Sequence, residues 1–208
     1  MDVLSKLFGS SARVRLMRLF LMNPEDLFDI ADMVKRTKTT PVQVRKEVKL
    51  LEDIGFIKSR VMVKMVPKKK RSSKAPEQLE KKKVTGFGMD STFPYLSALR
   101  ALVTEIAVGK EDIAARFRNC GQMKVIITAG IFLDHADSRL DILLVGDKLK
   151  KPLIEGVLRR LEAELGKELT YGVMDTPEFE YRFGIYDKFI RDVLDYPHLV
   201  VVNKLELF

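Results

Sequence analysis

Residues 10–22, SSARVRLMRLFLM, place Val14, Leu16, Met17, Leu19, Phe20 and Leu21 on a broad apolar face at helical spacing. Ser10 or Ser11 is positioned to cap that helix, and Asn23-Pro24 ends it. Ile30, Ala31, Met33 and Val34 predict a second, shorter helix running to about Arg36-Thr37-Lys38. A third begins at Pro41, the favoured first position for proline, with Thr39 or Thr40 as its cap. Val44, Val48, Leu51 and Ile54 form its expected buried stripe, and Gly55 its stop. FIKSRVMVKMV then alternates apolar and basic positions, as a half-exposed strand does, and VTGFGMD reads as the returning strand. Between them, residues 67–83 carry no apolar period and predict a mobile loop.

From Pro94 to about Asn119 the pattern predicts one long helix, with a possible break at Gly109. A second block starts near Gly121. KVIITAGIF and RLDILLVGD read as strands, and KPLIEGVLRRLEAELG as a helix with Leu153, Val157, Leu161 and Leu165 on one face. ELTYGVMD is a third strand. TPEFEYRFGIYDKFIRDVLD is a helix with Thr176 as cap and Pro177 first, and HLVVVNKL a closing strand. The pattern thus implies an α/β (α+β) chain with domains at 1–93 and 121–208 and a linker helix at 94–120.

Charge changes this picture. The chain carries a net charge of +8, but between Lys58 and Lys83 eleven basic residues face only Glu77 and Glu80. That segment therefore holds +9, and the rest of the chain about −1. A polyanion is the natural partner for such a concentration, through phosphate contacts and counterion release. The third predicted helix leaves Gln43, Arg45, Lys46 and Lys49 off its apolar stripe, with Thr39 and Thr40 at its start. Arginine and lysine pair with guanine edges or phosphates, and glutamine with adenine. Glu47, Glu52 and Asp53 on the same helix are expected away from any DNA, or paired with lysines one turn off. Lys64, Lys68, Lys69, Lys70 and Arg71 complete the candidate DNA-binding set.

Three helices followed by strand, basic loop and strand resemble the winged helix-turn-helix domains of small prokaryotic transcription regulators, over about residues 10–100. That resemblance implies that the third helix lies in the major groove of duplex DNA. From Val125 onward, AGIFLDHADSRLDILLVGD and GKELTYGVMD resemble the minimal nucleotidyltransferase fold. That family holds phosphate on a Gly-Ser pair and divalent metal on three carboxylates. Here Gly130 matches the glycine, but Ile131 replaces the serine. Arg139 stands at the first carboxylate and Thr170, beside Glu168, at the third; only Asp141 survives. The resemblance implies a degenerate transferase domain without catalysis, metal or cofactor, used for dimerisation or ligand sensing.

Asp134, His135 and Asp137 read as loop decoration, and Asp141 as a capping or salt-bridge carboxylate with Arg139 its candidate partner. Cys120 is the single cysteine, so no intramolecular disulfide forms and no clustered Cys/His zinc site is available; His198 has no partner visible in sequence. LDILLVG and LVVVNKLELF offer apolar surface for a homodimer. No run of about 18 apolar residues occurs, and the charged N-terminus lacks a secretory core, which leads to the expectation of a cytoplasmic protein. Duplex DNA, a second copy and a nucleotide or small-molecule effector are the expected partners. A nucleotidyltransferase with rearranged ligands and an antitoxin-like or nucleotide-sensing protein are the competing functions.

Overall fold

In the computed structural model, residues 3–67, 79–104, 110–133, 135 and 138–206 are described. The chain divides into two units: Met1–Glu105 with Ala163–Lys167, and Ile106–Glu162 with Glu168–Phe208.

In the first unit, helix α1 (Val3–Leu7) precedes α2 (Ser11–Met22), whose cap is Ser10: its Oγ accepts from the Arg13 N–H at 3.2 Å. Helix α2 is buried over more than one face, and Leu16, Phe20 and Leu21 are fully enclosed. Around it pack Met33 of α3 (Ile30–Thr37), Val44, Val48 and Leu51 of α4 (Pro41–Asp53), and Phe56, Ile57 and Met89. Each such side chain contributes about 1.5–3 kcal/mol on burial. Asp29 caps α3 in a reciprocal box with Asp32. Thr40 caps α4 in a second box, in which Gln43 Oε1 accepts from the Thr40 N–H. Strands β1 (Ile57–Pro67) and β2 (Leu79–Met89) pair antiparallel, from Ile57 opposite Met89 to Pro67 opposite Leu79. Helix α5 (Leu96–Thr104) follows, tied to α2 where the Arg18 guanidinium donates to the Val103 carbonyl.

The second unit begins with α6 (Lys110–Arg116) and contains a four-stranded sheet. Its strands are β3 (Gln122–Thr128), β4 (Ile142–Asp147), β5 (Tyr171–Met174) and β6 (Leu199–Asn203), in the order β5-β4-β3-β6. β3 runs antiparallel to both β4 and β6. β4 and β5 are parallel, a pairing that requires a crossover; α7 (Lys151–Leu165) lies in that connection. Helices α8 (Thr176–Gly184) and α9 (Lys188–Leu194) bury Phe179, Ile190 and Val193 with Val125, Leu143 and Val145 of the sheet. The structure is thus a mixed α+β chain with two sheets, and among the described residues no helix is long and apolar enough to cross a membrane.

Several elements depart from the pattern reading. Ile54 is not part of the buried stripe of α4; it is 54% exposed, and Glu47 takes its place inside. Of the residues expected in a loop, Pro67 closes β1 and 79–83 belong to β2, while 68–78 lie outside the described residues. Of the helix expected over 94–119, Leu96–Thr104 (α5) and Lys110–Arg116 (α6) are helical, while 105–109, with the expected break at Gly109, lie outside the described residues. On α7 the buried row is Ile154, Leu158, Leu161 and Leu165, and Leu153 faces solvent. The last helix is two: Tyr186 adopts φ +55, and Asp187 starts α9 by accepting from the N–H groups of Phe189 and Ile190. Asp175, not Thr176, caps α8, which shifts Pro177 to the second position.

Candidate functional site

The capping box at the start of α4 uses side chains that would otherwise be free to reach a ligand. Thr40 Oγ1 accepts from the Gln43 N–H at 3.3 Å, and Gln43 Oε1 accepts from the Thr40 hydroxyl at 3.0 Å. The Thr39 hydroxyl is hydrogen-bonded to that of Thr37, which donates in turn to the Met33 carbonyl. Arg45, Lys46 and Lys49 are exposed and form no ion pair with any described residue. Glu47 does not offset them. It is buried and accepts from Arg13 Nε at 2.8 Å, a partner on α2 and not the lysine expected on its own helix. With Glu47 turned inward, the exposed charges of α4 are cationic as far as Lys49, and Glu52 and Asp53 are exposed in its last turn.

The hairpin separates its cations into two groups. Lys64 Nζ bonds Asp29 Oδ2 at 2.8 Å and Asp32 Oδ1 at 2.6 Å, joining β1 to the capping box of α3. Burial pushes Asp29 up, but the Lys64 ammonium and the backbone N–H groups of Asp32 and Ala31 more than offset this and hold it below its ordinary value. Burial likewise pushes Lys64 down, yet bonds to both carboxylates leave it raised. Lys58 Nζ lies 2.6 Å from Asp90. That bond, with the Thr92 hydroxyl and N–H, pulls Asp90 down to about 2. Arg60, Lys81, Lys82 and Lys83 are exposed and form no ion pair with any described residue, and they extend the cationic surface beyond the residues singled out in sequence. Lys68, Lys69, Lys70 and Arg71 lie outside the described residues.

In the second unit Gly130, Ile131, Asp141 and Thr170 converge. Asp141 Oδ1 accepts from the Ile131 N–H and Oδ2 from the Thr170 N–H, each at 2.8 Å. The Asp141 N–H itself donates to the Thr170 carbonyl at 2.7 Å. Gly130 sits at φ +53, and a Cβ there would lie 2.2 Å from Asp141 Oδ1, so a side chain is excluded by both conformation and space. Asp141 is thus a capping carboxylate, but Arg139 is not its partner. Arg139 pairs with Asp192 and stacks 5.8 Å above the Phe189 ring. His135 is exposed, its backbone N–H donating to the Gly130 carbonyl, while Asp134 and Asp137 lie outside the described residues. Among the described residues no group of three or more His, Cys, Asp or Glu is placed to hold a metal. His198 Nδ1 lies 2.9 Å from the Tyr196 carbonyl. Cys120 is buried, which pushes its thiol up despite Lys150, and an apolar thiol of that kind is unreactive.

The break between α8 and α9 opens a cavity of about 520 Å³ lined by Phe183, Tyr186, Ile190 and Leu194, with Arg191 and Asp195 at its polar side. The pattern reading runs one helix through this break and carries no signal for the cavity. No family model matches the chain, and no curated protein or solved structure matches it.

Proposed function

We propose that the chain is a duplex-DNA-binding transcriptional regulator. Its first unit acts as a winged helix-turn-helix domain, with α4 as the recognition helix and the β1–β2 hairpin as the wing. One observation carries the reading: the outward face of α4 presents Arg45, Lys46 and Lys49 while Glu47 is withdrawn to Arg13. Lys81, Lys82 and Lys83 add exposed charge on the hairpin that follows. A helix with one face in a core and exposed cations over its first three turns meets the physical requirement for a groove reader. The second unit, read as a degenerate nucleotidyltransferase-like domain, serves dimerisation or ligand sensing without catalysis. Support comes from Asp141, whose two oxygens are engaged by backbone N–H groups, and from an arginine where a metal-binding carboxylate is required.

Fluorescence anisotropy on duplex DNA tests the proposal. Alanine at Arg45, Lys46 and Lys49 lowers the slope of log affinity against log salt by about 0.9 for each phosphate left without its cation. An unchanged slope means that α4 does not face the backbone. Wild-type binding that fails to discriminate any selected duplex from random sequence removes the regulator reading altogether.

A further inference from the structure

Val42 is the second residue of α4 and is 74% exposed, an aliphatic branched side chain left in water one turn ahead of the exposed Arg45 and Lys46. Helix stability does not account for it, since valine is a poorer helix former than alanine. Its surroundings are specific. Thr39, Thr40 and Gln43, the polar side chains nearest to it in sequence, are engaged in hydrogen bonds within the chain. Arg45 and Lys46 follow it by three and four residues, which places all three on one helical face. That face is thus a stiff apolar tip flanked by two cations. The cations complement phosphate, and the tip complements an apolar group recessed between phosphates. In B-DNA that group is the thymine C5-methyl on the major-groove floor.

Resting on the DNA-binding reading above, we infer that Val42 is a specificity-determining residue that reads thymine through its C5-methyl group. The restricted χ1 of a β-branched side chain means that little rotamer freedom is given up on binding. Arg45 and Lys46 set the approach of the helix, and Val42 distinguishes the base.

The test uses the full chain and sites enriched from a random duplex pool. Each thymine of a selected site is replaced in turn by deoxyuridine, which removes the methyl group alone, and affinity is measured by anisotropy. Removing one buried methyl costs about fourfold in affinity, and at least one position shows that penalty. Val42→Ala, benign to folding at so exposed a position, binds the thymine and deoxyuridine duplexes alike. Lys46→Ala weakens both and retains the fourfold ratio. A ratio that survives in Val42→Ala, or a selected site in which no thymine methyl matters, overturns the inference and leaves the DNA-binding reading standing. A pool that yields no enriched site overturns base reading by α4 and this inference with it.

Discussion

Asp141 accepts one backbone N–H on each carboxylate oxygen, from Ile131 and from Thr170, and so ties the turn after β3 to the segment entering β5. An amide in its place presents one oxygen and one NH2, and the NH2 meets a donor. Asp141→Asn is therefore expected to destabilise the protein by about 0.5–1.5 kcal/mol, the net worth of a hydrogen bond at a half-exposed site. Chemical denaturation measures it, and a neutral result means that the two N–H groups find other acceptors. Asp90 gives a second residue-scale expectation. Its folded pKa is depressed from 3.8 to about 2 by Lys58 and Thr92. The stability it contributes is thus fully present above about pH 4–5 and is lost as pH falls through 3.8 toward 2. Asp90→Asn flattens that part of the stability–pH curve; an acid limb identical to wild type refutes the role. Lys64, raised above its ordinary value, works in the opposite sense: its contribution holds below about pH 10.5 and is lost only as pH rises through its folded pKa.

At the scale of elements, Lys64 is better read as a clamp than as a phosphate contact. Both carboxylates it binds belong to the capping box of α3, so the bond couples the position of the hairpin to the helix before α4. Lys64→Gln is expected to speed amide hydrogen exchange in β1 and β2 and, in the DNA-binding reading, to leave the salt slope unchanged. A slope lower by about one unit would return Lys64 to the DNA-contact set. Helix starts were legible in sequence where a short polar residue precedes an apolar period, as at Ser10 and Thr40. Burial of Glu47 was not, because its partner Arg13 lies 34 residues away, while the apolar spacing alone put Ile54 in the buried stripe. The start of β2 was hidden for a related reason. Lys81, Lys82 and Lys83 are all exposed, so its first half is a strand held by the ladder with no apolar alternation to announce it. The α8–α9 break at Tyr186 left no proline to mark it. Around Asp141, the contact with Gly130 joins residues 11 apart, and the partner of Arg139, offered by the pattern as Asp141, sits 53 residues on, at Asp192.

For the whole molecule the question is how much of its charge is available to a partner. The segment from Lys58 to Lys83 carries more than the entire net charge of +8, yet Lys58 and Lys64 are occupied by Asp90, Asp29 and Asp32. The field presented outward is correspondingly weaker than the residue count implies. Lys81, Lys82 and Lys83 are exposed and form no ion pair with any described residue, so in the DNA-binding reading they are the hairpin cations that meet phosphate. Phosphate contacts position a protein without reading sequence. Alanine at all three should then lower affinity for selected and random duplexes by the same factor, reduce the salt slope by up to nearly three units, slow association, and leave the enriched motif unchanged. Anisotropy across a salt series, with a repeated site selection, separates these effects. Weakening confined to the selected duplex would move β2 from positioning into base reading. An unchanged slope would mean that these lysines serve solubility or another anionic partner, and that any DNA contact of the hairpin lies in its remaining cations.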